Sequence, residues 1–231
     1  MKNILIIGGT SGIGGEIVNM MAKDYQLFVT GREKKGVPDA SNIYYQNYDI
    51  KNDFPTDMLP EELHGVVYCP GTINLKPLNR YTEQDFADDY YINVIGAFKV
   101  IKACLPQLRK AKQSSVVFFS TVASNTGMPF HASIAAAKAG LQGLSISMAA
   151  EFATAGIRVN CIAPSLTDTP LASALLATPE KQAASAERHP LKKIGSKEEL
   201  ASLAVYLLSK NAAFITGQII GVDGGIGSLK I

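Results

Sequence analysis

The sequence has no paired-cysteine motif, no surplus of one charge and no long apolar run, and each absence removes a class of protein. Its three cysteines, Cys69, Cys104 and Cys161, are an odd number without Cys-x-x-Cys or Cys/His spacing. A disulfide framework and a metal site are thereby set aside. Cys69 and Cys161 stand in apolar, strand-like runs, the pattern of small buried thiols in a reducing, cytoplasmic compartment. Charged residues make up 18% of the chain, the net charge is +2, and no Lys/Arg run exceeds two residues. No nucleic-acid partner is expected from such a surface. No stretch approaches the roughly 18 apolar residues of a membrane span. The run Ile4-Leu5-Ile6-Ile7 is too short for a signal segment, and glycines follow at once.

What remains is apolar and periodic. Hydrophobic residues make up 47% of 231 positions, enough for one large core over residues 1–231. Short apolar runs predict strands at Asn3–Ile7, Gln26–Thr30, Ile43–Tyr48, Val66–Cys69, Ser115–Ser120, Ile157–Ala163 and Gln218–Val222. Continuous runs such as Val116-Val117-Phe118-Phe119 are the mark of strands buried on both faces. Helical patterns fall between them. One spans Gly12 to Lys23, and a long one starts at Thr82 and runs toward Arg109. A third covers Ser133 to Ala155 and stops at Gly156, and a fourth opens with the capping box Ser196/Glu199. The alternation predicts an α/β fold: a Rossmann-type, doubly wound parallel sheet of about seven strands with helices on both faces. Residues 165–194 carry the least regular pattern.

The first strand runs into Gly8-Gly9-Thr10-Ser11-Gly12-Ile13-Gly14. Glycine at 8 permits a tight turn, at 12 removes a side chain where backbone meets a pyrophosphate, and at 14 lets the helix pack on the sheet. The following helix N-terminus offers unpaired N–H groups to phosphates. A dinucleotide is expected here, with Thr10, Ser11 and Ile13 in the cradle. The second strand ends at Thr30-Gly31-Arg32, with no carboxylate before Glu33. A guanidinium suits a 2′-phosphate, so NADP(H) is favoured over NAD(H).

Together these features resemble the short-chain dehydrogenase/reductase family over essentially the whole chain. Asp49-Ile50 looks like the family's acidic–aliphatic pair at the adenine, and Asn93-Val94-Ile95-Gly96 like the motif carrying its catalytic asparagine. Ala135-Ala136-Ala137-Lys138 matches the stretch with the active-site lysine, and Pro164 with Thr169 the segment closing over the nicotinamide. Ile215-Thr216-Gly217-Gln218 and Asp223-Gly224-Gly225 match its C-terminal signature. The resemblance implies hydride transfer between nicotinamide and a carbonyl or carbinol carbon, with Lys138 holding the nicotinamide ribose. It implies Asn93 in a proton relay and Thr121 at the position of the substrate-binding serine, with Ser120 and Ser124 nearby. It also implies a homodimer or homotetramer paired through the helix that carries Ala136, Ala139, Gly140 and Gly143.

Two positions depart from the family. The proton-donating tyrosine, four residues before the lysine, is here Ile134, which has no proton to give. A positioned acid contributes about 10²–10⁴ in rate. Tyr68-Cys69-Pro70-Gly71 stands where the family has Asn-Asn-Ala-Gly, and only Gly71 survives to pass the cofactor. His131 offers a replacement acid. It lies seven residues before Lys138, the spacing at which enoyl reductases of the superfamily place their tyrosine. Leu166, Leu171, Leu175 and Leu176 point to a mobile apolar lid or a packed surface helix, and the former fits a small apolar or acyl-type substrate. The function expected is an NADP(H)-dependent oxidoreductase with an atypical site, acting on a carbonyl, carbinol or activated double bond; the alternatives are a non-catalytic dinucleotide-binding scaffold and a non-redox enzyme on the same fold.

Overall fold

The computed structural model describes residues 1–230. Its strands are β1 (Lys2–Ile7), β2 (Tyr25–Gly31), β3 (Ile43–Asn47), β4 (Gly65–Tyr68), β5 (Ser114–Phe119), β6 (Ile157–Pro164) and β9 (Ile219–Val222), with β7 (Thr167–Asp168) and β8 (Gly195–Ser196) forming a separate small pair. The large sheet is parallel throughout, in the order β3-β2-β1-β4-β5-β6-β9. All seven expected strands are present, each end within one residue of the sequence pattern. The helices are α1 (Gly12–Met21), α2 (Glu83–Tyr90), α3 (Gly96–Lys110), α4 (Ala132–Phe152), α5 (Pro179–Glu187) and α6 (Lys197–Leu208).

Strand alternation sorts the core into two layers. Ile4 and Ile6 of β1 pack with Ile17 and Met21 of α1 and with Leu200 and Leu207 of α6. Leu5 and Ile7 face the other way, toward Val100 and Leu108 of α3 and Leu141 of α4. The four β1 residues are at most 1% exposed, which is why the run carries no polar position. Helices therefore cover both faces, and the carboxyl ends of β1, β4, β5 and β6 meet where the strand order reverses. That edge is where doubly wound sheets bind ligands.

The long helix expected from Thr82 to Arg109 is continuous but not uniform. Thr82 caps α2 in a capping box with Asp85. Tyr91–Ile95 then widen into a π turn, with the Gly96 N–H bonded to the Tyr91 carbonyl five residues back. The Tyr68 hydroxyl donates to the Ile92 carbonyl of this turn. The terminus of α4 and the Ser196/Glu199 box of α6 fall as the sequence indicates; Gly156 adopts φ 73 behind a short 3₁₀ turn. The irregular stretch is more ordered than its pattern. It holds 3₁₀ turns over Pro170–Leu176 and then α5, capped by Thr178. No residue of α5 is buried, so no apolar stripe marked it in the sequence. Among the described residues no helix is long and apolar enough to cross a membrane. Among the described residues no cluster of three or more His, Cys, Asp or Glu could hold a metal.

Candidate active site

At the carboxyl edge of the sheet lies a cavity of about 320 Å³. It gathers Ile13, Gly71, Thr121, His131, Lys138, Pro164 and Thr169, which the sequence singled out from five separate segments. Ile134 and Cys69 line it too. The glycine turn forms one rim. Gly8 takes φ +74, and a methyl on Gly14 would stand 2.3 Å from the Gly8 carbonyl oxygen, so helix and turn can meet only without a side chain there. Across a narrow gap from Gly12, Thr169 and Pro170 approach to 3.8 Å of where its Cβ would be. Ser11 starts α1 without a side-chain cap, so the first-turn N–H groups have no partner from that side chain. Thr10 packs on Gly31 at the end of β2, and exposed Arg32 follows directly. Asp49 Oδ1 accepts from the Lys51 N–H, and Ile50 is buried against the core beside Gly96. Arg32, Asp49 and Ile50 lie outside the cavity.

Lys138 is the electrostatic centre. Only 7% exposed, its Nζ donates to the Phe119 carbonyl at 2.6 Å. Burial pulls its ammonium down to about 8, against Cys161, Cys69 and Asp89, which favour the charge. Asn93, fully buried in the π turn, donates through Nδ2 to the Asp89 carbonyl at 2.7 Å. Its Oδ1 is buried with no partner. A methyl on Gly71 would touch both, 3.2 Å from Lys138 Nζ and 3.4 Å from Asn93 Oδ1. Thr121 accepts the Ala123 N–H at 3.3 Å, which leaves its own proton unspent. Ser120 differs, because its hydroxyl meets the Lys138 carbonyl, Gln142 Nε2 and Ser124 Oγ. That network holds β5 to α4 while Ser120 also lines the cavity. His131 sits at the head of α4 with Nδ1 2.7 Å from the Pro129 carbonyl.

Several polar groups here escaped the sequence. Asp89 is 2% exposed, and its carboxylate accepts hydroxyl protons from Thr72 at 2.5 Å and Ser133 at 2.6 Å. This ties α2, the loop after β4 and the start of α4 into one frame around Asn93. Ser165, Ser185, Arg188 and His189 also line the cavity. His189 is 3% exposed, with Nδ1 2.9 Å from the Ser185 carbonyl and Nε2 2.8 Å from Ser165 Oγ. The three cysteines are free, and burial pushes each thiol up to about 12, so none is a ready nucleophile.

The parallel order, the glycine turn and the Lys138–Asn93 pair define a class, and comparison with known proteins agrees. A family model described as enoyl-(acyl carrier protein) reductase matches residues 56–227. The 3-oxoacyl-[acyl-carrier-protein] reductase FabG of Thermotoga maritima is 31% identical, covering 97% of each chain. The 3-oxoacyl-[acyl-carrier-protein] reductase MabA of Mycobacterium avium is 30% identical over 98% of this chain and 90% of its own. The solved structure of a variant of ElxO with NADPH bound superposes with a TM-score of 0.90 at 25% identity, covering 99% of each chain. The chain belongs to the short-chain dehydrogenase/reductase family, a class of oxidoreductases.

Proposed function

We propose that the protein is an NADP(H)-dependent oxidoreductase acting on the carbonyl, carbinol or activated double bond of a small apolar or acyl-type substrate. The observation that carries this is the gap beside Gly71. A buried ammonium with one of three donors used and a buried, unpaired amide oxygen flank the same backbone. Such groups are costly to leave unpaired, and ribose hydroxyls would satisfy both. The glycine turn fits the rest of the group: the start of α1 lacks a side-chain cap and lies beside the Gly12–Thr169 gap, where a helix N-terminus would take a pyrophosphate. Arg32 would hold a 2′-phosphate. When bound, the dinucleotide supplies the hydride exchanged with the substrate carbon.

The chain's own residues do the remaining work. Lys138 positions the ribose and keeps positive charge beside the reacting centre, and Asn93 accepts a hydroxyl proton in the second half of that contact. Thr121, with its proton unspent, holds the substrate oxygen. Leu166, Leu171 and Leu175 wall the cavity with apolar surface, which favours an acyl or similar chain; the 3-oxoacyl reductases among the relatives fit that choice. Ile134 gives no proton, so the proton comes from one of the two cavity imidazoles, His131 or His189. The test is NADPH oxidation with a 3-oxoacyl thioester and with a simple ketone. Carbonyl-dependent oxidation is expected. NADPH binding without turnover on either would leave the scaffold function, the alternative that Ile134 favours.

We also propose a cytoplasmic homodimer or homotetramer. Ala136, Ala139 and Gly143 lie exposed along α4 beside exposed Ile146, while Gly140 packs on Tyr90 and Val94. A monomeric mass by light scattering at micromolar concentration refutes the assembly.

A further inference from the structure

We propose that Ser165 and His189 form the proton-donating pair of this cavity, with Ser165 Oγ the atom that protonates the substrate oxygen. The proposal rests on the hydride-transfer function above and supplies the group that Ile134 cannot. Ser165 follows β6 directly, and its side chain lines the same cavity as Thr121, Ile134 and Lys138. His189 closes the back of it, buried to 3% exposure and packed against Gly224, where an added Cβ would lie 3.4 Å from its ring.

The hydrogen bonds define the proton path. A carbonyl only accepts, so the 2.9 Å contact to Ser185 fixes a proton on Nδ1. Nε2 then faces Ser165 Oγ at 2.8 Å. In the neutral ring Nε2 accepts the serine proton. In the imidazolium Nε2 donates, and the serine O–H is turned loose toward the cavity. Reduction of a carbonyl follows that path. Both electrons arrive at carbon with the hydride assigned to the dinucleotide. The substrate oxygen takes the Ser165 proton, and the O–H bond of serine breaks. Oγ takes the Nε2 proton, and the ring is left neutral. Water restores the ring proton afterwards. His131 is held on one side only and stands half-buried at the rim. The pair is held on both sides, and a buried, doubly anchored donor loses less orientation at each turnover.

The charged neighbours of His189 on its own segment are Glu187, Arg188 and Lys192. Asp223 precedes Gly224 on the loop packed against it, with its carboxylate held by the Gly225 and Gly227 N–H groups. The end of β6 brings only Pro164, Ser165 and Leu166.

The test compares Ser165→Ala and His189→Gln with wild type. Turnover of a 3-oxoacyl thioester should fall about 10²–10⁴-fold in Ser165→Ala, the size of a general-acid contribution. NADPH affinity, read by fluorescence, should stay within twofold. Turnover should fall to a similar degree in His189→Gln, where no ring proton is left to replace the one Ser165 gives up. Nitrogen-15 NMR of the free protein should find His189 protonated on Nδ1, with an Nε2 shift that moves in Ser165→Ala. Wild-type turnover that survives Ser165→Ala overturns the pair and leaves the oxidoreductase standing. So does loss of turnover confined to His131→Ala. No carbonyl-dependent turnover in wild type overturns both.

Discussion

The turn after β1 and the segment after β6 face each other across one cleft, yet they are made of different material. The turn is backbone: its shape comes from Gly8 at φ +74 and from a 2.3 Å approach that only a glycine at 14 allows. The opposite wall is side chains: Ser165, Leu166 and Thr169 in the segment after β6, Leu171 on the 3₁₀ turns that follow, and His189 just past α5, a helix without buried residues. A backbone-built site tolerates almost no substitution and binds a constant partner. A side-chain-built wall can exchange its groups without disturbing the core, and here it holds an imidazole–hydroxyl pair while α4 carries Ile134.

The largest effect should come from moving the acid back to α4. In a Ser165→Ala background, Ile134→Tyr places a phenol one helical turn before Lys138, and turnover should recover about 10²–10⁴-fold. In wild type the same change should add little. Overpacking at this 6%-exposed position would cost about 1–3 kcal/mol, so melting is followed alongside. A large gain in wild type would mean that the side-chain wall supplies no proton.

The next effect concerns the buried charge between the two walls. Lys138 titrates near 8 when folded, against 10.5 as its ordinary value. Between those values the unfolded chain binds the extra proton, so rising pH favours the fold. Relative to Lys138→Met, wild type should therefore gain up to about 3 kcal/mol from pH 8 to 10.5 in urea unfolding. The cysteines act in the opposite sense. Their folded values near 12 keep them as thiols while the unfolded chain ionises, so both proteins lose stability above pH 9. A constant difference between the two proteins across that range contradicts the prediction.

On the backbone side, Arg32→Ala should weaken NADPH by about tenfold or more, one charge-assisted contact, and leave NADH unchanged. Equal loss for both cofactors would remove the 2′-phosphate from the account. Gly14→Ala should cost about 1–3 kcal/mol of strain, because the added methyl meets the Gly8 carbonyl oxygen. Calorimetry should show a melting point lower by several degrees, together with weaker NADPH binding.

The same contrast explains what the sequence made legible. Strands buried on both faces write themselves as unbroken apolar runs, and the glycine turn lies in seven consecutive residues, so both could be read locally. Lys138 and Asn93 were reachable through a family resemblance. The Ser165–His189 pair joins positions 24 apart across α5, which carries no stripe. Asp89 draws its hydroxyls from positions 17 and 44 away. Nothing in local pattern marks a hydrogen bond whose partners are brought together by the packing of other elements. The π turn was hidden for a similar reason, because Tyr91–Ile95 continue the helical composition on either side.

That turn also governs how still Asn93 can be. A helix residue ordinarily shares the small bending motions of its own rod. Here the hydroxyl of Tyr68, a strand residue at the centre of the sheet and 1% exposed, holds the Ile92 carbonyl one position before Asn93. The amide is thereby tied to the sheet as well as, through the Asp89 carbonyl, to the helix that bears it. Phenylalanine at position 68 would keep the packing and cut that tether. The amide would then move with α2 and α3, and the distance between Asn93 and Lys138 would fluctuate with the helices rather than being set by β4.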